Sequence, residues 1–166
     1  MRRRCAVGLV LTALGATAVS ATLAAEPIVA RFFPADELQV NAQWALPAPN
    51  PRVDPTLNNL ILAKTPVTEM RLSLPAAYVG KSVRIYQLVP NFVQGMTSGR
   101  GFEVEWTTQG IFVAGKARTG ERALFYQGTP ASTTLRDYVA YTLRIDSAFT
   151  SGPIRFEPAY EIEEQR

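Results

Sequence analysis

Two glutamates, Glu103 and Glu105, are the nearest approach to a catalytic constellation in this 166-residue chain. They stand at i and i+2 in Phe102-Glu103-Val104-Glu105-Trp106, so on a strand they share one face. Paired carboxylates on one surface are the minimum for glycoside hydrolysis. The same spacing suits two solvated residues on an outer face, and that is the expectation. Glu157, Glu161, Glu163 and Glu164 crowd the C-terminus. With no DxDxDG-like loop around them they read as the polar face of a strand, not a calcium site. Histidine is absent and the single cysteine is Cys5. Zinc, copper and haem sites draw on those two residue types, and Ser-His-Asp hydrolases and cysteine proteases require them. Residues 94–101, QGMTSGRG, lack the Gly-Lys-Ser/Thr ending of a phosphate loop. The expectation is a non-enzyme that takes no metal and no cofactor.

Residues suited to binding are easier to find. Arg84 and Tyr86 share one face of an alternating run, Tyr138 lies between Arg136 and Ala140, and Tyr126 lies beside Gln127. Each tyrosine is out of phase with the apolar positions around it. An exposed tyrosine flanked by arginine stacks on sugar rings or on a partner's side chains. The alternative is that the rest of the chain covers this second face. Arg84, Tyr86 and Tyr138 are the candidate ligand face.

A third group is a whole strand. In residues 37–46, ELQVNAQWAL, the apolar Leu38, Val40, Ala42, Trp44 and Leu46 alternate with Gln39, Asn41 and Gln43. Period two with one apolar face predicts a half-buried strand. Pro47, Pro49, Pro51 and Pro55 follow at once, which makes an extended and fairly stiff connector. A strand placed before such a joint enters a sheet of its own chain or that of a neighbour. Before it, residues 26–33, EPIVARFF, read either as an ordered edge segment or as an exposed sticky arm.

Ahead of these elements, Arg2, Arg3 and Arg4 precede an uncharged run of apolar and small residues from Cys5 to Ala25. That is the pattern of an export signal over residues 1–25, cleaved after Ala21, Ala24 or Ala25. It places the mature protein in the periplasm, at the cell surface or outside the cell, with no membrane span. Fourteen basic and fourteen acidic residues remain from Glu26 onward. The mature part is therefore neutral, without the basic footprint of a nucleic-acid binder. Lacking cysteine there, it stands on a hydrophobic core and not on disulfides. About 140 residues suffice for one domain.

The remaining chain is punctuated every few residues by glycine or proline. Strands are expected at 67–74, 82–89, 102–107, 111–114, 123–127, 135–145 and 154–162, and residues 57–63 suit either a short strand or a helical turn. The run 135–145 is the longest and predicts a central strand, with Asp137 the one exception on its apolar face. Pro158 confines the last run to a sheet edge or marks a bulge. Eight to ten short strands without an amphipathic helix predict an all-β protein, an antiparallel β-sandwich of immunoglobulin-like, Greek-key type. A closed barrel is the alternative. The organisation read is a signal peptide at 1–25, an N-terminal arm, strand and connector at 26–56, and the β domain at 57–166.

An exported, cysteine-free β-sandwich with the alternating strand LQVNAQWAL before a proline joint resembles the chaperone–usher pilus subunits of the colonisation-factor class. The resemblance implies a structural or adhesive subunit whose incomplete sheet is filled by the N-terminal strand of another copy, with an assembly chaperone as a second partner. It implies that Leu38, Val40, Ala42 and Trp44 are the inserted side chains. It also implies that Leu143, Ile145, Ile154 and Phe156 border the groove that receives them. The other function in view is a monomeric module binding a carbohydrate or lipid.

Overall fold

The computed structural model describes residues 25–35, 38 and 40–165. The expected export signal therefore lies outside the described residues, apart from Ala25. The elements run β1 (Glu26–Phe33), β2 (Asn41–Trp44), the helical turn α1 (Pro55–Asn58), β3 (Leu60–Lys64), β4 (Thr68–Ser73), β5 (Val83–Leu88), β6 (Gln94–Met96), β7 (Phe102–Thr108), β8 (Gly115–Arg118), β9 (Arg122–Gly128), β10 (Thr134–Asp146), β11 (Thr150–Arg155) and β12 (Ala159–Glu164). Every strand pairing among the described residues is antiparallel. Ten strands form one sheet in the order β2-β3-β10-β4-β1-β12-β5-β9, with β7 on the other side of β10 and β8 beyond it; β6 and β11 make a separate ribbon. The sheet curls until β8 lies against β9, where the Val113 N–H donates to the Phe125 carbonyl at 2.7 Å.

The long run expected to be central is central. β10 pairs with β3 and β4 along one side and with β7 along the other. Its inward residues Leu135, Val139, Tyr141, Leu143 and Ile145 are all buried. Asp137, also inward, is only 5% exposed. Its carboxylate accepts the Phe112 N–H at 2.7 Å and the Tyr138 N–H at 2.6 Å. Without it the buried Phe112 N–H would lack a partner, so the acid on the apolar face ties the 109–114 loop to the sheet.

That loop displaces one expected strand. The return partner of β7 is β8 at 115–118, not residues 111–114. Trp106 explains the shift: its indole N–H donates to the Val113 carbonyl at 2.8 Å, and a Cβ on Gly115 would stand 2.8 Å from its ring. The tryptophan fills the space a tighter hairpin would need. The C-terminal run also divides. Pro158 neither marks an edge strand nor a bulge but separates β11 from β12, and β12 lies inside the sheet between β1 and β5.

Two bulges bend the sheet. Lys64 faces Thr142 while Thr68 faces Val139, so β3 and β4 together carry one more residue than β10. At the extra position Thr65 Oγ1 accepts the Tyr141 N–H at 2.9 Å in place of a backbone carbonyl. In β9, Tyr126 faces Ile85 and Leu124 faces Tyr86, leaving Phe125 between. Phe125 and Tyr126 are consequently both buried. Tyr126, which strict alternation places on the outer face, is a core residue for that reason.

Inside the curl, Trp106, Phe112, Phe125 and Tyr160 form a chain of ring contacts with centroids 4.7 to 6.0 Å apart. Full burial of a side chain such as Leu72 or Ile162 contributes about 1.5–3 kcal/mol. A polar knot sits in this apolar surround. The Tyr141 and Tyr160 hydroxyls are 2.7 Å apart, and Gln87 Oε1 lies 3.4 and 3.5 Å from them. Burial pushes both phenols above their ordinary range.

Candidate functional site

A cleft of about 580 Å³ opens where Leu38, Val40 and β11 meet the sheet. Phe32 of β1, Tyr141 and Leu143 of β10, and Ile154 and Phe156 from β11 onward give it apolar walls, and Arg155 and Glu157 stand at its rim with nitrogen and oxygen 2.7 Å apart. Local sequence explains each wall. Ile28, Ala30 and Phe32 alternate along β1 and point inward. Tyr141 and Leu143 follow the inward phase of β10. Phe156 reaches Phe102 with centroids 5.2 Å apart, which anchors the segment after β11. Phe32 stands edge-on to Tyr141 at 6.1 Å, so the cleft and the buried tyrosine pair are in contact. Concave, mainly apolar walls with a few polar groups are the common form of a small-molecule site, and the volume lies in its usual range.

The expected N-terminal strand divides at this cleft. Leu38 and Val40 line it and are partly buried. Ala42 and Trp44 do not reach it: they lie in β2, paired with β3 of the same chain at the end of the sheet order, and all four residues of β2 are exposed. Trp44 is 57% exposed. A strand with a neighbour on one side only has little to bury against, which is why alternation alone misplaces Trp44. Glu37 and Gln39 lie outside the described residues. Of the four residues expected to border an acceptor groove, Leu143, Ile154 and Phe156 line the cleft, and Ile145 is buried in the core. Phe32, Thr65 and Tyr141 complete the lining without having been singled out from sequence; the alternation of Ile28, Ala30 and Phe32 was the available signal.

The candidate ligand face does not hold together as one surface. Arg84 and Tyr86 lie on β5 opposite Glu163 and Glu161 of β12. Arg122 places its guanidinium 3.6 Å over the Tyr86 ring and bonds Glu163 at 2.9 Å. This arginine, together with the Tyr86 hydroxyl, holds the Glu163 carboxyl below the usual carboxylate range. Arg84 Nη2 lies 2.8 Å from the Gln165 side chain when that amide is turned to accept it. Tyr138 is on β10, separated from β5 by β4, β1 and β12, a distance of roughly 19 Å along the sheet.

The two strand carboxylates are likewise in different settings. Glu103 faces Arg118 at 3.2 Å and Arg144 at 3.4 Å, while Glu105 is exposed opposite Lys116. Glu103 shares a second notch, also about 580 Å³, with Arg100, Glu121 and Asp146. Among the described residues no group of three or more His, Cys, Asp or Glu side chains is placed to hold a metal ion. No described helix is long and apolar enough to cross a membrane. No protein-family model, curated protein or solved structure matches the chain.

Proposed function

We propose that this chain is an exported, non-enzymatic binding protein that takes the hydrocarbon part of a lipid-like ligand into the cleft beside β1 and β11. The observation that carries the reading is the convergence of Phe32, Leu38, Val40, Leu143, Ile154 and Phe156, from four separate segments, on one open apolar space. Burial of a short alkyl chain there yields about 0.8 kcal/mol per methylene. The ion pairs of Glu103 with two arginines support a structural role for that carboxylate and a non-enzymatic reading of the chain. We read the curl as a β-sandwich of Greek-key type, because β1 joins β12 by its first residues and β4 by its last, passing between two layers. Its test is displacement of a fluorescent long-chain fatty acid from the chain beginning at residue 26, beside Val40→Arg. Saturable binding weakened at least tenfold by the substitution is expected. Absence of binding, or equal binding by the variant, overturns it.

A second reading has its own support. β2 is short, wholly exposed, ends the sheet order and carries Trp44. An edge of that kind suits strand addition between copies or to an assembly chaperone, as in a pilus-type structural or adhesive subunit. Light scattering on the chain from residue 26 beside Ala42→Lys tests it. Oligomers abolished by the lysine favour this reading, and a monomer in both cases ends it.

A further inference from the structure

The register of three neighbouring strands brings together residues that are far apart in sequence. Arg31 of β1 faces Arg71 of β4, and Arg71 faces Arg136 of β10. All three point away from the core, since their neighbours Ala30, Phe32, Met70, Leu72 and Leu135 pack inside. The three arginines form a straight row across two strand spacings, about 10 Å. Arg31 and Arg136 are exposed, and the Arg71 side chain is 38% exposed. Like charges directly opposite one another across a ladder are destabilising, and Glu69 beside Arg71 and Arg136 is the one acid set against the three arginines among the residues of the two flanking rows. The part of the chain from Glu26 is neutral overall, so composition does not account for the row.

The rows on either side complete the surface. One row holds Tyr138, Glu69 and Phe33, the other Thr134, Ser73 and Val29. Glu69 bonds Arg71 Nε at 2.7 Å, and the Arg71 guanidinium lies 3.9 Å over the Phe33 ring. The central arginine is thus fixed from one side. Among the described residues no ion pair joins Arg31 or Arg136 to an acid. Tyr138 is 51% exposed and stands next to Arg136.

We propose that the outer face of β1, β4 and β10 binds an acidic polysaccharide laid across the strands, its carboxylates or sulfates on the arginine row and one sugar ring on Tyr138. Guanidinium groups are weakly hydrated and pair with such anions through two parallel hydrogen bonds. A half-exposed aromatic ring beside the charges suits a polymer that alternates anionic groups with apolar ring faces. Three arginines fall short of the four to eight basic residues that hold a protein on an anionic membrane, and the neutral chain lacks the broad basic stripe of a nucleic-acid binder. The proposal uses the opposite surface from the cleft and stands whether or not the cleft binds lipid.

The test is binding of heparin and of alginate to the chain from residue 26, by retention on immobilised polymer and by titration at physiological salt. Arg31→Gln with Arg136→Gln is expected to weaken binding of at least one of them tenfold or more. The same pair of substitutions should leave the thermal midpoint nearly unchanged, because the like-charge repulsion it removes offsets the lost attraction of Arg136 for Glu69. Tyr138→Ala should weaken binding about threefold. Arg52→Gln with Lys116→Gln, an equal loss of charge at exposed positions elsewhere, should bind as the parent does. Failure of both polymers to bind overturns the proposal, as does equal binding by the Arg31 and Arg136 double variant. Preferential binding of duplex DNA or of phosphatidylglycerol vesicles by the same row also overturns it.

Discussion

β1 and β2 are separated by seven residues, yet they occupy opposite situations in the sheet. β1 is hydrogen-bonded to β12 by its first residues and to β4 by its last, and its inward Ile28 is 9% exposed. Among the described residues β2 pairs with β3 alone, and it buries none of its side chains. By sequence the second has the cleaner alternation and the larger aromatic. The difference teaches that periodicity fixes which side chains share a face, while the worth of the strand depends on how many neighbours it finds. A strand whose two halves are tied to different neighbours cannot open without parting both, and so joins the cooperative unit; one held by a single neighbour opens locally at little cost.

Amide exchange should show the comparison at its widest. The β1 amides at the joint between its β12-paired and β4-paired halves should exchange only through global opening, and those of β2 through fraying, with a difference of several kcal/mol. Equal protection of the two strands would remove the distinction. Substitution should follow the same order. Ile28→Ala should cost about 3 kcal/mol in urea unfolding, in the range for a large-to-small change in a core, against less than about 0.5 kcal/mol for Trp44→Ala on an exposed surface. A large loss at Trp44 in dilute solution would point to burial of β2 between copies.

Asp137→Ala should fall between these, at about 2 kcal/mol, because it leaves the buried Phe112 N–H without an acceptor. Its effect should concentrate in the exchange of residues 109–114. The smallest effect belongs to the outer face of β12. Glu163 is held below its ordinary value of 4.5 chiefly by the hydrogen bond from Arg122. The unfolded chain therefore binds the proton more readily, and the stabilisation is complete above the ordinary value and lost as pH falls through the lowered one. Glu163→Gln should flatten stability against pH in that acidic window and lower stability slightly above it, where the parent's stabilisation is complete. An unchanged acid limb would show that Arg122 does not act on this carboxylate in solution.

The two faces of the protein were unequally legible. Alternation located β4, β5, β7, β9 and β10 close to their observed bounds, since strands with one buried face must alternate. It assigned Tyr126 to the wrong side because a single extra residue in β9 inverts the phase beyond it. It placed Leu38 and Val40 with Leu143, Ile154 and Phe156 only through a resemblance, and the cleft they share is formed within one chain. The arginine row was not legible at all, because Arg31, Arg71 and Arg136 are 40 and 65 residues apart along the chain and meet only through register.

Sequence by itself determined the all-β class, the long central strand, the neutrality of the chain from Glu26 and the lack of His and Cys chemistry there. These rest on local periodicity and residue type, which act over a few bonds. Tertiary structure alone decided that EPIVARFF is an ordered edge segment shared between β12 and β4 and not an exposed arm, that β2 is a bare edge, which tyrosines face solvent and which charges stand side by side. Those outcomes depend on strand order and register, and both are set by the sum of many weak contacts between distant segments.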